Sequence, residues 1–300
     1  MKDNIALGII KVLIGGILWG ISGVCGGYLF MYRGFNANLL VPFRLLSSSA
    51  IILIYLYIND RKNLFKIWRN KKDAIGILIF SIFGMLMCQY TYYKTIEYSN
   101  PSIATVLQYT GPALILIYAC MSEKRIPKKY ELIALIFSAI GVFILATHGN
   151  VNTLQIKLIA LFWGMFSALT LAIYTIQPVR LLKKYGSTYV LAWGMLIGGI
   201  VLSFITNPIK NNTGIYDLMT FIMFFTIVIF GTVISFSLYL SGVSTIGATK
   251  ASIIACIEPV SAAFFSTIFL KTPFSFLDFI GFILVISTVI IVSYFGKKHV

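Results

Sequence analysis

The sequence predicts an all-α integral membrane protein with ten transmembrane helices, arranged as two inverted five-helix repeats with both termini cytoplasmic. Its composition, the spacing of its apolar runs and the placement of its basic residues predict this class. Hydrophobic residues make up 59% of the 300 residues and charged residues only 11%, whereas a soluble domain carries roughly 25% charged residues. Such a chain has too little polar surface to cover a soluble core, so its solvent must be lipid.

Apolar windows recur along the chain between charge clusters, Gly, Pro or Asn. A window of about 20 residues crosses about 30 Å of hydrocarbon as a helix, and an open strand would leave unpaired backbone groups in lipid. The first window is expected to be a span, because no cleavage site and soluble domain follow it. The predicted spans are residues 8–31, 40–58, 74–93, 101–121, 131–147, 155–177, 189–206, 218–240, 250–270 and 276–295.

The basic residues set the orientation. With a cytoplasmic N-terminus, the cytoplasmic segments hold 18 Lys and Arg and the outer loops hold five. Cytoplasmic loops of membrane proteins carry such an excess, which places both termini inside and requires an even number of spans. The net charge of +15 therefore reflects membrane topology, and no nucleic-acid partner is expected.

The two halves of the chain repeat at an offset of about 147 residues. Trp19-Gly20 matches Trp163-Gly164 at an offset of 144, and Phe83-Gly84 with Phe230-Gly231 and Pro112 with Pro259 match at 147. The predicted domains are therefore residues 1–148 and 149–300, with five spans each. Because five is odd, the second copy must enter the membrane from the opposite side. Secondary transporters use inverted repeats of this kind to alternate between inward- and outward-facing shapes.

Two segments carry a family resemblance. They read TYYKTIEYSNPSIATVLQYTGP (91–112) and YLSGVSTIGATKASIIACIEP (239–259), each an aromatic helix end, a short polar turn and small residues leading to Pro. With Trp-Gly in spans one and six, they make the chain resemble the drug/metabolite transporter superfamily, specifically its ten-span exporters built from two EamA-type domains. The resemblance implies export of amino acids or related small metabolites through a central pathway between the repeats.

Glu258 is the most informative single residue. A carboxylate in mid-span is costly and normally faces protein or water. It could bind a substrate amine or carry a proton, or it could satisfy backbone groups freed where Pro259 breaks the helix. At the matching position the first repeat has Gly111, so any charge chemistry is asymmetric.

Polar and aromatic residues at helical spacing along several spans predict an amphipathic pocket for a zwitterion. The alternative is structural, because Ser and Thr also mediate helix packing and Tyr and Trp form interfacial belts. The close spacing of Gly16 and Gly20 predicts tight helix packing. The candidate substrate-binding residues are Trp19, Ser22, Gln89, Tyr92, Tyr93, Gln108, Tyr109, Trp163, Ser167, Tyr174, Ser235, Tyr239 and Glu258.

Each of the remaining charged residues near the spans has two possible roles. Arg44 could bind a carboxylate bidentately or anchor its helix at the headgroups. Lys94 and Glu97 could form a helix-end pair or an outer gate. Lys250 could reach the cytoplasmic interface or guide charge at the inner mouth.

No cofactor or metal is expected, because the chain has no phosphate-binding loop and its four cysteines lack zinc-ligand spacing. The expected partners are a small-molecule substrate and the lipid bilayer, with protons as a further candidate. The Lys, Ile and Asn content is typical of an AT-rich bacterial genome, so a multi-pass protein of the bacterial inner membrane is predicted. The alternatives to a carrier are a lipid or lipid-linked substrate flippase of the same fold and a membrane-embedded enzyme.

Overall fold

The computed structural model describes residues 2–99, 101–147, 157–210, 212–269 and 275–295. Within these ranges the regular secondary structure is helical throughout. The helices are α1 (Lys2–Tyr32), α2 (Ala37–Asp60), α3 (Lys71–Tyr98), α4 (Pro101–Gln108 and Gly111–Ser122), α5 (Lys129–Thr147), α6 (Leu158–Ile176 and Val179–Tyr185), α7 (Ser187–Thr206), α8 (Leu218–Ile246), α9 (Ala248–Ile254 and Ile257–Phe269) and α10 (Phe276–Phe295).

Nine helices in the described part of the chain are long and apolar enough to cross a membrane, which confirms an all-helical integral membrane protein. The predicted fifth span, 131–147, coincides with α5, which is not among the nine. The count of ten spans therefore stays a prediction, and the predicted repeat boundary at residues 148 and 149 lies outside the described residues. Helix α3 continues five residues beyond its predicted end, and α8 six residues beyond.

Polar side chains begin three of these helices. The Asn36 side chain accepts a hydrogen bond from the Leu39 N–H at 3.0 Å at the start of α2, and Asn70 caps α3 in the same way. Asp217 accepts from the Thr220 N–H at 2.8 Å at the start of α8. Each cap satisfies backbone donors that have no partner inside the first turn.

Irregular turns occur in pairs, one in each half of the chain. Residues Phe80–Leu86 of α3 and Ile229–Ile234 of α8 are π-helical. Helices α4 and α9 are interrupted just before Pro112 and Pro259, because a proline lacks an N–H and its ring clashes with the carbonyl four residues earlier. Each interruption leaves backbone groups that require other partners.

The helices of the two halves interlock. Helix α1 packs against α8 and α9, and α6 packs against α3 and α4, while α2 contacts α7 and α5 contacts α10. The predicted tight packing at Gly16 and Gly20 is confirmed, because a methyl group added to Gly20 would lie 2.7 Å from the backbone oxygen of Glu258. Small residues thus allow α1 to lie directly against the interrupted helix α9.

Ion pairs join the halves at opposite ends of the bundle. At the start of α3, the buried Asp73 carboxylate lies 2.5 Å from Arg180 and 2.5 Å from Lys184, at the end of α6. At the other end, Arg33 lies 2.8 Å from Asp217. Hydrogen bonds from Thr220, together with Arg33, lower the pKa of Asp217 to about 2, so this pair stays ionised at physiological pH.

Replacing Gly20 with alanine is expected to destabilise the protein by about 1–3 kcal/mol, the usual penalty for overpacking, because the added methyl would meet backbone atoms of α9. Gly23→Ala is the matched control three residues along the same helix, since nothing lies within 4 Å of its added methyl. It should leave stability unchanged or raise it by up to about 1 kcal/mol. Thermal unfolding in detergent measures both, and equal unfolding temperatures would contradict the packing account.

Candidate substrate-binding site

A cavity lies between the two halves, where α1, α2, α3, α4, α6, α8 and α9 meet. The cavity volume is about 60 Å³, well above the roughly 10–15 Å³ that a single water needs on the same measure. Its lining residues are Trp19, Ser22, Gly23, Arg44, Cys88, Gln89, Tyr92, Tyr93, Gln108, Tyr109, Leu171, Tyr174, Phe236, Tyr239, Ser252, Ala255 and Glu258.

Most of the candidate residues from the sequence meet in this cavity. Those that line it are Trp19, Ser22, Gln89, Tyr92, Tyr93, Gln108, Tyr109, Tyr174, Tyr239 and Glu258. The structure does not bring Trp163, Ser167 or Ser235 into the lining.

Those three residues occupy packing positions instead. Ser167 lies behind the lining and accepts a hydrogen bond from Gln108 Nε2 at 2.7 Å. Trp163 packs edge-on against Tyr90, with ring centroids 6.0 Å apart, and Ser235 is buried within α8. Helical spacing identified the stripe that contains each residue, but the depth and rotation of each helix depend on tertiary packing.

Glu258 and Tyr109 meet at the two helix interruptions. The Tyr109 hydroxyl lies 2.9 Å from Glu258 Oε2 and 2.8 Å from the backbone oxygen of Ala255. That oxygen is the one four residues before Pro259, whose usual helical donor the proline removes. The backbone N–H of Glu258 also donates to this oxygen, at 2.9 Å. The oxygen therefore has partners without the Glu258 side chain, whose carboxylate lines the cavity.

Arg44 is the functional candidate that the sequence analysis left out of its substrate-binding set. The reading of Arg44 as a headgroup anchor is wrong, because its residue exposure is only 3% and it lines the cavity. Its guanidinium donates to Thr232 Oγ1 at 2.6 Å, to the Tyr93 hydroxyl at 2.8 Å and to the Gly231 backbone oxygen at 2.8 Å. A basic residue seven positions inside an apolar helix was the available signal, since such charges normally face an interior or a cavity.

Several polar atoms at the cavity have no protein partner among the described residues. They are Trp19 Nε1, Gln89 Nε2 and the Tyr174 hydroxyl. A buried polar group without a hydrogen bond is destabilising by about 1–3 kcal/mol. Each of these atoms belongs to a cavity-lining residue but is itself buried, so a side-chain rotation is needed to bring it to a bound molecule.

Aromatic rings form the apolar wall of the cavity. Trp19 lies 4.9 Å from both Phe236 and Tyr239, measured between ring centroids, and Tyr174 stacks on Tyr239 at 6.0 Å. Such rings bury apolar side chains and attract cations through their faces. The site thus combines an apolar wall with a carboxylate and a guanidinium.

The other charged candidates lie outside the lining. Lys94 and Glu97 form the predicted helix-end pair, with Nζ 2.9 Å from Oε1. Lys250 is half-buried near the start of α9 and does not line the cavity. Within the described ranges no cluster of three or more His, Cys, Asp or Glu could hold a metal ion.

Comparisons with known proteins identify the family. The EamA-like transporter family matches the chain twice, over residues 6–147 and 158–294. The uncharacterized inner membrane transporter YicL of Salmonella typhimurium is 39% identical over 295 residues, which cover 97% of each chain. The uncharacterized transporter YyaM of Bacillus subtilis is 24% identical over 257 residues, covering 82% of this chain and 81% of its own.

A solved crystal structure shares the fold. It aligns with a TM-score of 0.78 over 99% of both chains at 12% identity, so this likeness concerns the fold alone. The family matches cover both halves, and the relatives are named as transporters rather than enzymes. The chain is thus a membrane protein that belongs to the EamA-like transporter family.

Proposed function

We propose that this protein is a secondary transporter that exports amino acids or related small metabolites by alternating access, through a central pathway between its two halves. The observation that carries the proposal is the Glu258 carboxylate in a cavity that both halves build. Among the described residues no Lys or Arg lies within 4.0 Å of this carboxylate, and Tyr109 is its hydrogen-bond partner. A carboxylate so placed suits a substrate ammonium group.

The rest of the cavity suits the other parts of an amino acid. The unpartnered donors of Trp19, Gln89 and Tyr174 suit the oxygens of a carboxylate. The rings around them suit an apolar or aromatic side chain, and their faces favour a nearby ammonium group. Small-molecule sites commonly combine an apolar wall with a few such polar groups.

The transport cycle that we propose uses two inverted five-helix repeats with both termini in the cytoplasm. Its support is the pairing of irregular features across the halves, namely the π-helical turns of α3 and α8 and the interruptions of α4 and α9. The reciprocal packing of α1 on α8 and of α6 on α3 has the same symmetry. Two near-equivalent halves can exchange shapes around a shared site, which is the basis of alternating access.

The proposed direction of transport and the proposed membrane location are supported by different observations. Outward transport follows from the resemblance to ten-span EamA-type exporters. A location in the bacterial inner membrane is supported by the relative YicL, which is named as an inner membrane transporter. Flux of fluorescent lipid in place of amino acids would instead identify a flippase of the same fold.

Counterflow of radiolabelled amino acids in proteoliposomes tests the function, with Glu258→Gln as the key variant. We expect saturable flux for one group of amino acids and a rise in KM of about 10- to 100-fold in the variant, the equivalent of a lost charged hydrogen bond. Glu123→Gln is the control, because Glu123 is exposed outside the cavity. Equal KM values in Glu258→Gln and the control would contradict the proposed role of this carboxylate.

An imposed proton gradient tests whether Glu258 also carries protons. Glu258 is the acid among the cavity-lining residues, so proton coupling in this site would require it. We expect a pH gradient to accelerate amino acid flux in the wild-type protein and to have no effect in Glu258→Gln. A variant that retains the full response to the gradient would exclude Glu258 as the coupling group.

A further inference from the structure

We propose that Arg44 binds the carboxylate of the transported molecule, so that a free carboxylate is a requirement for transport. The proposal rests on the proposed function and deepens it, because it assigns recognition of one substrate group in the same cavity. Arg44 and Glu258 both line this cavity. Arg44 presents a cation and Glu258 an anion, so a substrate with both charges can bind in only one orientation.

No carboxylate pairs directly with Arg44, although Glu258 lines the same cavity. The side chain is almost completely buried, and in the part of the chain that the structure describes no carboxylate lies within 4.0 Å of its guanidinium. Its hydrogen-bond partners are a hydroxyl of Thr232, a hydroxyl of Tyr93 and a backbone carbonyl. A buried cation with neutral partners is stabilised further when an anion binds beside it.

The guanidinium retains donors for such an anion. Arg44 carries five N–H groups, and its three hydrogen bonds use one on each nitrogen. One N–H therefore remains on each of the two terminal nitrogens. Each of these two N–H groups can donate a charge-assisted hydrogen bond to a carboxylate oxygen.

The π-helical turn of α8 holds the guanidinium in place. Gly231 and Thr232 both belong to this turn, and Thr232 donates its own proton to the Ile227 oxygen at 2.7 Å, which orients the hydroxyl toward Arg44. At Gly231 an added methyl would lie 2.1 Å from Ser22 Oγ, so the absence of a side chain lets α1 and α8 approach. A donor group that is already ordered loses little freedom when a substrate binds.

Aromatic rings flank the same group. The Arg44 guanidinium carbon lies 5.5 Å from the Tyr93 ring centroid and 5.7 Å from that of Phe236. These rings shield it from water and restrict the directions from which an anion can approach. Because Arg44 extends from α2 and its partners Gly231 and Thr232 from α8, movement of the halves would change this site directly.

The repeat provides only one such cation. The position 147 residues after Arg44 is Leu191, which is fully buried, just as the position 147 residues before Glu258 is Gly111. The two charged groups of the cavity therefore each replace an uncharged residue of the other half. This asymmetry favours a substrate with two different charged groups over one with two identical ends.

A matched substrate series tests the role of Arg44. The series uses L-phenylalanine, L-phenylalaninamide and phenethylamine, together with the corresponding leucine series, as competitors of amino acid counterflow. In the wild-type protein we expect the amide and the amine to compete about 10- to 100-fold more weakly than the amino acid. In Arg44→Gln we expect the amino acid to lose about 10- to 100-fold in affinity, while the amide changes by less than about threefold.

Controls separate recognition from folding. Arg61→Gln removes an exposed arginine that stacks on Tyr57 outside the cavity and should leave all affinities unchanged. Thr232→Val keeps Arg44 but removes one of its acceptors, and it should weaken binding of the amino acid about three- to tenfold with little effect on the amide. This variant decides the question if Arg44→Gln does not fold, as judged by thermal unfolding in detergent.

The outcomes distinguish the two proposals. No flux of any amino acid in the wild-type protein would overturn the proposed function. Amino acid flux with equal competition by the amide, or equal losses for amino acid and amide in Thr232→Val, would overturn the role of Arg44 and leave the transporter standing. A loss confined to carboxylate-bearing competitors would support it.

Discussion

The structure depends on one constraint, which is that a charge or polar backbone group inside the bilayer must find a partner or face water. Pro112 and Pro259 each remove a helical donor, and in the second half the Ala255 oxygen accepts instead from Tyr109 and from the Glu258 N–H. Arg44 and Glu258 do not pair with each other at ion-pair distance, yet both line the cavity. Interrupted helices and isolated charges therefore concentrate where the two halves meet.

The features that the two halves share and the charged residues that they do not share have different consequences. Paired irregular turns and reciprocal helix packing give the two halves similar frames. The charged groups break the similarity, since the residue 147 positions after Arg44 is Leu191 and the residue 147 positions before Glu258 is Gly111. The shared frame suits a movement that both halves can make, whereas the unmatched charges suit recognition of a molecule that is itself asymmetric.

The helical membrane class could be predicted from the sequence, because the length of an apolar run responds directly to the thickness of the bilayer. Glu258 and the stripe of Gln89, Tyr92 and Tyr93 could also be found, since polar residues in apolar spans are uncommon. The absence of Trp163 and Ser235 from the cavity lining could not be predicted, because it depends on the rotation of each helix. The π-helical turn that supplies hydrogen-bond partners to Arg44 could not be predicted either, since such a turn depends on tertiary packing.

The most direct test of the central claim uses Cys88, a cavity-lining residue that is 7% exposed. Replacing the other three free cysteines (Cys25, Cys120 and Cys256) leaves one buried thiol, which a small maleimide reaches only when the proposed transport cycle opens the cavity. An amino acid that this variant transports is expected to slow alkylation of Cys88, with half-protection near its KM. Alkylation that proceeds at the same rate in saturating amino acid, by protein that still transports it, would contradict the assignment of this cavity as the substrate site.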